Sequence, residues 1–276
     1  MHMSRLMVKA TEPNQDGRIL AVSPESAGWQ YVGFEVYQLQ IGASLSRMTE
    51  GHEACLVLLS GIADIQAAGR TFEAIGKRMS VFEGIPPYSV YVPAGASYEI
   101  IAHTPVELAV CLAPAKGKYE ARLITPADME VEERGSGSMS RQVVNILPEQ
   151  KEAESLLVVE VYTRGGNWSS YPPHKHDRDN LPQESYLEET YYHRINPPQG
   201  FIVQRVYNDD RTLDETMAVT DGSVVLVPEG YHPVSAPPGY DSYYLNVMAG
   251  PTRTWVFHND PAHEWLFAAP VKKDQS

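Results

Sequence analysis

The chain has 276 residues, enough for one large or two modest domains, and its 43% hydrophobic and 21% charged residues are ordinary for a globular protein. The net charge of −13 repels a phosphate backbone, so we expect no nucleic-acid partner. No apolar run approaches the ~20 residues that cross a bilayer, so we expect no membrane partner either.

Short strand-like segments dominate the first half of the sequence. They cover residues 54–61, 63–69, 88–95 and 107–115, and they are bounded by Gly, Pro, Asn or Asp. Helical periodicity is weak throughout this half. One short helix is predicted within residues 121–135.

Residues 133–148 form the predicted boundary between two domains. Gly and Ser cluster there, the apolar content drops, and strand signals resume near Ser155. We therefore divide the chain into an N-terminal domain, residues 1–140, and a C-terminal domain, residues 141–276.

Strand-like segments also dominate the second half, where they cover residues 155–166, 190–195, 200–207, 223–230 and 243–250. Many short strands separated by turn residues are typical of β-sandwiches and β-barrels. The fold class predicted for the whole chain is therefore all-β.

Two histidines in the second half, His174 and His176, are two positions apart. Residues i and i+2 of a strand share a face, about 6.6 Å apart, so both imidazoles can reach one ion. Lys175 then points to the opposite face and is no ligand. Neutral imidazole suits Zn, Fe, Mn or Ni.

A carboxylate and a third histidine complete the predicted metal site. Glu189 begins the next strand, and Tyr191 and His193 lie on the same face of it. His232 follows a strand ending in Val-Pro-x-Gly, a turn that can direct the imidazole back over a barrel mouth. Glu188 is the ligand instead if the register is shifted by one. The predicted metal ligands are His174, His176, Glu189 and His232.

An internal repeat relates the two halves of the chain. The segment from Ser89 to Ser97 and the segment from Val224 to His232 both contain Val-Pro-x-Gly, and they are offset by 135 residues. Ser97 stands where His232 stands. We therefore expect the metal site in the second half alone, with about one ion per chain.

The order of these residues resembles the two motifs of the cupin superfamily, which implies jelly-roll β-barrels. The first motif matches Gly166, His174, His176 and Glu189, and the second matches Gly222, Pro228, Gly230 and His232. Asn196 takes the place of the closing Gly of the first motif. A further departure is the twelve residues between His176 and Glu189, where cupins have three or four.

Longer strings resemble the 5-deoxy-glucuronate isomerase family of bacterial myo-inositol catabolism over nearly the whole chain. They include PPHKHD, LEETYYHRINPPQGFIVQRVY and VVLVPEGYHPVSAPPGYDSYYLNVMAG in the second half, and RMSVFEGIPPYSVYVPAG in the first. The resemblance implies two tandem cupin domains, a bicupin. It also implies a metal-dependent aldose–ketose isomerase that converts 5-deoxy-D-glucuronate, a small anionic sugar acid, to 5-dehydro-2-deoxy-D-gluconate.

This chemistry moves a proton or a hydride between C2 and C1 of the sugar. Proton transfer needs a base, and His193, Tyr191, Glu215 and Tyr244 are all candidates among which the sequence does not choose. Arg205 is the candidate partner of the substrate carboxylate, because a guanidinium binds a carboxylate with two parallel hydrogen bonds. A surface ion pair is the alternative role for Arg205.

One divalent metal ion is the expected cofactor. Zn or Mn serves this reaction because no redox step is required, and Fe or Ni suits the same ligands. Three other functions are alternatives: a cupin dioxygenase, a related isomerase of the 5-dehydro-4-deoxyuronate type, and a sugar-binding cupin without catalysis. The related isomerases have the short spacing between His and Glu, which argues against them.

The long insertion, residues 177–188, is polar and links two strands that carry ligands. A plain hairpin does not need so many residues. We hypothesise that the insertion forms a lid or rim over the metal; the alternative is a solvated loop at the edge of the barrel or against a neighbouring subunit.

The two cysteines, Cys55 and Cys111, lie in apolar strand-like segments with no metal-binding spacing. We expect buried free thiols in a reducing compartment. The N-terminal segment lacks the apolar core of a signal peptide, so a cytoplasmic location is expected. We also expect a homo-oligomer.

Overall fold

The computed structural model describes residues 4–268, which form two β-barrels. The strands of the first part are β1 (Met7–Lys9), β2 (Arg18–Val22), β3 (Gly33–Leu39), β4 (Ser44–Met48), β5 (His52–Ser60), β6 (Ala63–Ala67), β7 (Arg70–Ile75), β8 (Ser89–Val92), β9 (Ser97–Ala102), β10 (Val106–Pro114) and β11 (Arg122–Ile124).

The strands of the second part are β12 (Glu130–Arg134), β13 (Arg141–Leu147), β14 (Leu157–Thr163), β15 (Trp168–Ser169), β16 (His174–Lys175), β17 (Asp177–Asn180), β18 (Glu184–Tyr186), β19 (Glu188–Asn196), β20 (Phe201–Tyr207), β21 (Asp214–Thr220), β22 (Ser223–Val227), β23 (Val234–Ser235), β24 (Asp241–Ala249) and β25 (His258–Asn259). The helices are short: α1 (Pro24–Ala27), α2 (Trp265–Ala268), and 3-10 turns at Val81–Glu83, Pro126–Asp128 and Gly137–Met139.

Each barrel consists of a larger and a smaller antiparallel sheet. The N-terminal barrel has the orders β11-β8-β5-β10-β3-β2 and β4-β9-β6-β7. The C-terminal barrel has the orders β1-β22-β19-β24-β14-β13-β12 and β15-β23-β20-β21. The strands β8, β5, β10 and β3 thus have the same arrangement as β22, β19, β24 and β14. The predicted all-β class with two tandem barrels is confirmed.

The region between the barrels differs from the prediction. Residues 121–135 form no α-helix; the 3-10 turn at Pro126–Asp128 separates strands β11 and β12. The Gly- and Ser-rich segment is the turn of the hairpin β12–β13, in which Arg134 pairs with Arg141. Gly135 has a φ of +77°, a conformation that Gly adopts without strain. The composition of this segment signals a tight turn and not a linker.

The sheets therefore do not divide at residue 140 as predicted. Strand β12 belongs to the C-terminal sheet, so the chain passes between the barrels near residues 125–129. Strand β1 also leaves its own half and pairs with β22, with Met7 opposite Val225. Each half of the sequence thus contributes to the C-terminal sheet.

Three clusters of buried apolar side chains hold the molecule together. One fills the N-terminal barrel, for example Leu56 and Val110. A second lies inside the C-terminal barrel. The third lies between the two larger sheets, where Phe34 packs against Tyr192 with ring centroids 5.8 Å apart. The two barrels therefore pack face to face through their larger sheets.

Two buried carboxylates reinforce this interface reciprocally. Glu53 of β5 accepts hydrogen bonds from the backbone N–H groups of residues 154–156 at 2.6–2.8 Å. Glu188 of β19 accepts hydrogen bonds from the backbone N–H groups of residues 30–32 at 2.6–3.0 Å. Each carboxylate thus satisfies three donors of the opposite half, just before β14 in one case and just before β3 in the other.

A buried ion pair also crosses the interface. The guanidinium of Arg78 donates to both carboxylate oxygens of Glu160 at 2.9 Å, and both side chains are at most 2% exposed. Tyr162 and Tyr243 donate to the same carboxylate. Because every oxygen of this carboxylate is hydrogen-bonded, the charge is accommodated away from water.

The two cysteines are buried and free, as expected. Cys55 and Cys111 face each other on β5 and β10, and burial raises the pKa of the Cys55 thiol to about 12. Such a thiol stays protonated and unreactive at neutral pH. Among residues 4–268, no helix is long and apolar enough to cross a membrane.

The interface predicts a stability defect for Glu188→Ala. Three buried backbone donors would lose their acceptor, at about 1 kcal/mol or more each, so the free energy of unfolding should fall by about 3 kcal/mol. Urea denaturation of the variant measures this change. The control is Glu73→Ala on the exposed strand β7, which should stay within about 0.5 kcal/mol of the wild type. Equal stability of the two variants would contradict this role for Glu188.

Candidate metal centre and active site

Strand β19 directs alternate side chains into the C-terminal barrel. Glu189, Tyr191 and His193 face the interior, as the strand parity predicts. Tyr192 faces the other barrel, where its hydroxyl donates to Glu107 at 2.8 Å. One strand thus supplies both an interface residue and the interior polar row.

A tight turn after β22 places His232. Gly230 has a φ of +86°, and a Cβ there would lie 2.4 Å from the carbonyl oxygen of Tyr207. This close approach allows Tyr231 to form a β-bridge with Tyr207. The imidazole of His232 then lies completely buried beside Glu189.

His174 and His176 both approach His232, with ring centroids 5.0 and 5.1 Å from it. Lys175 points the other way, as predicted, and lies among Asp177, Glu184 and Asp209. Although β16 is only two residues long, the alternation expected of a strand is therefore present.

The ligand atoms of His176, Glu189 and His232 all lie within 4.8 Å of one another. Oε2 of Glu189 is 3.0 Å from Nε2 of His176 and 3.2 Å from Nε2 of His232. His174 lies next to this cluster without joining it. The structure therefore brings three of the four predicted ligands together and places the fourth beside them.

The outer nitrogens of two of these rings are held by the backbone. Nδ1 of His176 lies 3.0 Å from the carbonyl oxygen of Leu187, and Nδ1 of His232 lies 2.8 Å from that of Gly230. A carbonyl accepts only from a protonated nitrogen, so in the neutral form of each ring Nε2 carries the free lone pair. This is the arrangement by which proteins orient histidine ligands.

The charges of the cluster also suit a cation. Burial alone would raise the pKa of Glu189, but His232 and His176 outweigh it and lower the pKa to about 2. Burial, followed by the other two imidazoles, lowers the pKa of His174. The carboxylate is therefore ionised at neutral pH and His174 is neutral, the states in which both groups coordinate metals.

These residues fit a divalent metal ion. Nε2 of His232 is buried and makes no hydrogen bond, although it belongs to a polar cluster. A buried nitrogen lone pair without a donor is costly unless a cation occupies the centre of the cluster. Imidazole and carboxylate together suit Zn, Mn, Fe and Ni.

The choice between the two adjacent glutamates follows from the interface. Glu188 accepts three hydrogen bonds from residues 30–32 and points away from the cluster. Glu189 points into it. The geometry therefore supports the predicted register, with Glu189 at the centre.

A cavity of about 1200 Å³ opens next to the cluster. His174, Tyr191, Tyr244 and Asn246 line its inner part. The outer part is lined by the β12–β13 turn and by side chains from residues 255–267. Of the four predicted ligands, His174 is the one that lines the cavity within the described part of the chain.

Two tyrosines present hydroxyl groups at the inner end of the cavity. Tyr191 and Tyr244 have ring centroids 4.7 Å apart, and both hydroxyls lie within 3.4 Å of Oγ of Ser170. Burial is the main cause that raises the pKa of both phenols. Both are therefore protonated at neutral pH and act as hydrogen-bond donors.

Two other candidates for the base lie elsewhere. His193 is fully buried and does not line the cavity, and its Nε2 is 2.8 Å from Oε1 of Gln204. Burial lowers the pKa of His193 to about 4. Glu215 lies on β21 and accepts a hydrogen bond from Ser4. Neither side chain lines the space that a substrate would occupy.

The expectation for Arg205 is wrong. Gln204 faces the barrel interior, so the adjacent Arg205 faces outward. Its guanidinium binds both oxygens of Asp214 at 2.6 and 2.8 Å and lies over the ring of Tyr207. It forms the surface ion pair that was the alternative. The alternation of the strand predicted that the side chains of Gln204 and Arg205 point to opposite faces, but not which of them points into the barrel.

The insertion also differs from the lid hypothesis. It forms the hairpin β17–β18, which packs around Lys175 through Asp177 and Glu184. Of the described residues that line the cavity, none belongs to residues 177–188. The hairpin therefore accommodates a buried lysine at the barrel edge.

Among residues 4–268, the N-terminal barrel contains no comparable polar centre. Strand β5 of the N-terminal barrel corresponds to β19, and Ala54 of β5 occupies the position of Glu189. Ala54 pairs with Val92 and Leu112 on the two neighbouring strands. Glu189 pairs with Val227 and Met248 on the corresponding strands. At the other equivalent positions, the N-terminal barrel also has an apolar residue where the C-terminal barrel has a polar one. These are Leu56 in place of Tyr191, Leu58 in place of His193, Leu108 in place of Tyr244 and Val110 in place of Asn246. At these five positions the N-terminal interior is thus aliphatic.

Among the polar cavity residues that sequence reasoning missed are Arg141, Ser170 and Asn246. The alternation on β24 offered a signal for Asn246, because it lies two residues after Tyr244. Arg141 and Ser170 had no such signal, since each follows a turn that was read only as a loop or a boundary.

The pattern of the KduI/IolB family matches residues 6–266. The chain belongs to this family. The 5-deoxy-glucuronate isomerase of Geobacillus kaustophilus (strain HTA426) is 63% identical over 273 residues, which cover 99% of each chain. The crystal structure of an IolB-like protein from Salmonella typhimurium LT2 has a TM-score of 0.93 at 54% identity, covering 95% of this chain and 99% of that one.

A more distant structure confirms the fold. Oxalate decarboxylase from Lactobacillus farciminis, in complex with formate, has a TM-score of 0.67 at 14% identity. The match covers 98% of this chain and 92% of that one. At this identity the similarity concerns the two-barrel cupin architecture alone. The match over residues 6–266 and the 63% identical relative confirm the family that the sequence resembles, and the two structures confirm the fold.

The metal centre predicts one tightly bound ion per chain. His176→Ala, Glu189→Ala and His232→Ala should each weaken metal affinity by more than about 100-fold, because loss of an outer contact alone costs about 10–100-fold. His174→Ala should also weaken binding. Elemental analysis after dialysis measures the content of each variant.

Glu188→Ala is the matched control for the metal measurement, since it changes the neighbouring carboxylate. It should retain the metal at temperatures where the variant is folded. Two tightly held ions per wild-type chain, or metal loss from Glu188→Ala but not from Glu189→Ala, would contradict the assignment.

Proposed function

We propose that this chain is a metal-dependent aldose–ketose isomerase that converts 5-deoxy-D-glucuronate to 5-dehydro-2-deoxy-D-gluconate in myo-inositol catabolism. The observation that carries the proposal is the 63% identity to a 5-deoxy-glucuronate isomerase over 99% of both chains. The buried cluster of His176, Glu189 and His232 beside a cavity supports it, because the site has the ligands that such a reaction requires.

The reaction moves one hydrogen from C2 to C1 of the open-chain sugar and changes no overall oxidation state. A bound divalent ion of the Zn or Mn type would supply a Lewis acid that polarises the C1 carbonyl and the C2 hydroxyl. His176, Glu189 and His232 would hold this ion, with His174 beside them. The carboxylate of Glu189 offsets part of its charge within the buried cluster.

Tyr191 and Tyr244 are the protein groups best placed to act on the sugar. Of the four candidates for proton transfer, only these two line the cavity. Their hydroxyls are protonated and held near Ser170, so they can donate to sugar oxygens on which negative charge develops. His193 acts behind them: its ring stacks on that of Tyr191 at 6.0 Å and limits how that phenol can turn.

The decisive experiment is an NMR assay with metal-loaded protein and 5-deoxy-D-glucuronate. We expect the aldehyde signal to disappear as the ketose forms, without uptake of O₂. Activity lost on chelation should return with Zn or Mn. Turnover of 5-dehydro-4-deoxyuronate in preference would favour the related isomerase, and O₂ consumption would favour a dioxygenase. Binding of the sugar acid without turnover of either uronate would leave only the sugar-binding alternative.

The tyrosines predict a loss of turnover without loss of metal. Tyr191→Phe or Tyr244→Phe should lower kcat by about 100-fold or more if that phenol transfers a proton, since acid–base groups typically contribute about 10²–10⁴-fold. Steady-state kinetics and elemental analysis of each variant measure the effect. The control is Tyr119→Phe, a partly buried tyrosine that packs against the interface cluster far from the cavity. Two fully active cavity variants would exclude both phenols as proton-transfer groups.

A further inference from the structure

The cavity beside the metal centre has an unusual charge for this protein. The chain carries 35 acidic and 22 basic residues, yet no Asp or Glu is among the described residues that line the cavity. Arg134 and Arg141 both line it. The cavity is thus a positive region within an acidic molecule, and it favours an anionic ligand.

The two arginines differ in how their charges are compensated. Arg134 forms an ion pair with Glu132 at 2.6 Å. Arg141 has no carboxylate within 4.0 Å among the described residues, and it is partly buried at the start of β13. A partly buried guanidinium without a counter-ion is costly unless a ligand supplies the negative charge.

The hydrogen bonds of Arg141 leave one edge of its guanidinium free. Nη1 donates to the carbonyl oxygens of Met139 and Tyr171 at 3.1 and 3.2 Å. Nε and Nη2 donate to no described protein group. These two nitrogens present parallel N–H groups, the geometry that binds both oxygens of a carboxylate.

The β12–β13 turn is shaped around this guanidinium. A Cβ on Gly135 would lie 2.8 Å from Nη1 of Arg141 and 2.3 Å from the carbonyl oxygen of Met139. Only Gly fits this approach, and its φ of +77° also favours Gly. The turn thus fixes the guanidinium in place before any ligand binds, which lowers the entropic cost of binding.

We propose that Arg141 binds the carboxylate of the sugar acid, the role for which Arg205 was the candidate in the sequence. This inference rests on the proposed function, and it makes Arg141 the residue that gives the enzyme its specificity for an anionic sugar. The aldehyde end then faces the cluster of His176, Glu189 and His232, and the carboxylate end lies against β13. Tyr191 and Tyr244 lie between the two, on the inner wall of the cavity.

The test compares two substrates in the metal-loaded wild type and in Arg141→Met. One substrate is 5-deoxy-D-glucuronate, and the other is 5-deoxy-D-glucose, in which a hydroxymethyl group replaces the carboxylate. We expect kcat/KM for the uronate to fall about 100-fold in the variant, the effect of losing two charge-assisted hydrogen bonds. The value for the neutral sugar should change less than threefold.

The two substrates separate recognition from structure. If Arg141 only held the β12–β13 turn, the variant would lose activity on both sugars equally, and the proposal would be overturned. Arg205→Met is the matched control and should keep the kinetics of the wild type. Arg141→Lys is a second variant in case Arg141→Met does not fold. It keeps the positive charge but cannot form two parallel hydrogen bonds, so its kcat/KM should fall about tenfold for the uronate and not for the neutral sugar.

A binding measurement distinguishes failure of this inference from failure of the proposed function. If the wild type does not isomerise the uronate, the proposed function is wrong, and calorimetry with D-gluconate then tests Arg141. Gluconate binding by the wild type that is lost in Arg141→Met supports the carboxylate site. No gluconate binding by the wild type, or equal binding by both proteins, overturns it.

Discussion

The orientation of strand β19 is the constraint on which the site depends. Glu188 is tied to three backbone donors of the N-terminal half, so its side chain must point toward that barrel. Adjacent residues on a strand point to opposite faces, and Glu189 is therefore directed into the C-terminal barrel. A shift of one residue would exchange the two carboxylates, and it would remove the interface contact of Glu188 and the carboxylate of the His176, Glu189 and His232 cluster together. The N-terminal barrel thus helps to position the polar cluster of the C-terminal barrel.

The two barrels use one arrangement of strands for different purposes. Glu53 and Glu188 occupy equivalent positions and make the same kind of contact in opposite directions, so the interface has an approximate two-fold symmetry. The interiors have no such symmetry. An apolar interior stabilises the N-terminal barrel by burial of aliphatic side chains, whereas the C-terminal barrel contains a row of histidine, tyrosine, glutamate and asparagine side chains.

Much of this was accessible from the sequence, and the failures have a common physical origin. The His-x-His spacing, the alternation from Glu189 to His193 and the turn before His232 are local patterns, and local geometry decides them. The roles of Arg205, of the 177–188 hairpin and of the β12–β13 turn depend on which face is inside and which distant segments meet. The alternation of a strand shows that Gln204 and Arg205 point to opposite faces, but it does not show which face lies inside the barrel. Only the folded barrel decides this. Arg141 was missed for the same reason, since its surroundings come from Gly135, Met139 and Tyr171 after a turn has folded back.

Strand β1 has a consequence for how the molecule is assembled. It precedes every strand of the N-terminal barrel in the sequence, yet it pairs with β22 near the other end of the chain. During synthesis the strands of the N-terminal barrel leave the ribosome in succession and can fold into the barrel. Strand β1 has no partner at this stage, because β22 has not yet been made. The second barrel gains its edge strand only when β22 has emerged. The cluster of His176, Glu189 and His232 is thus complete only after β22 and the turn that follows it have left the ribosome, when most of the chain has been made.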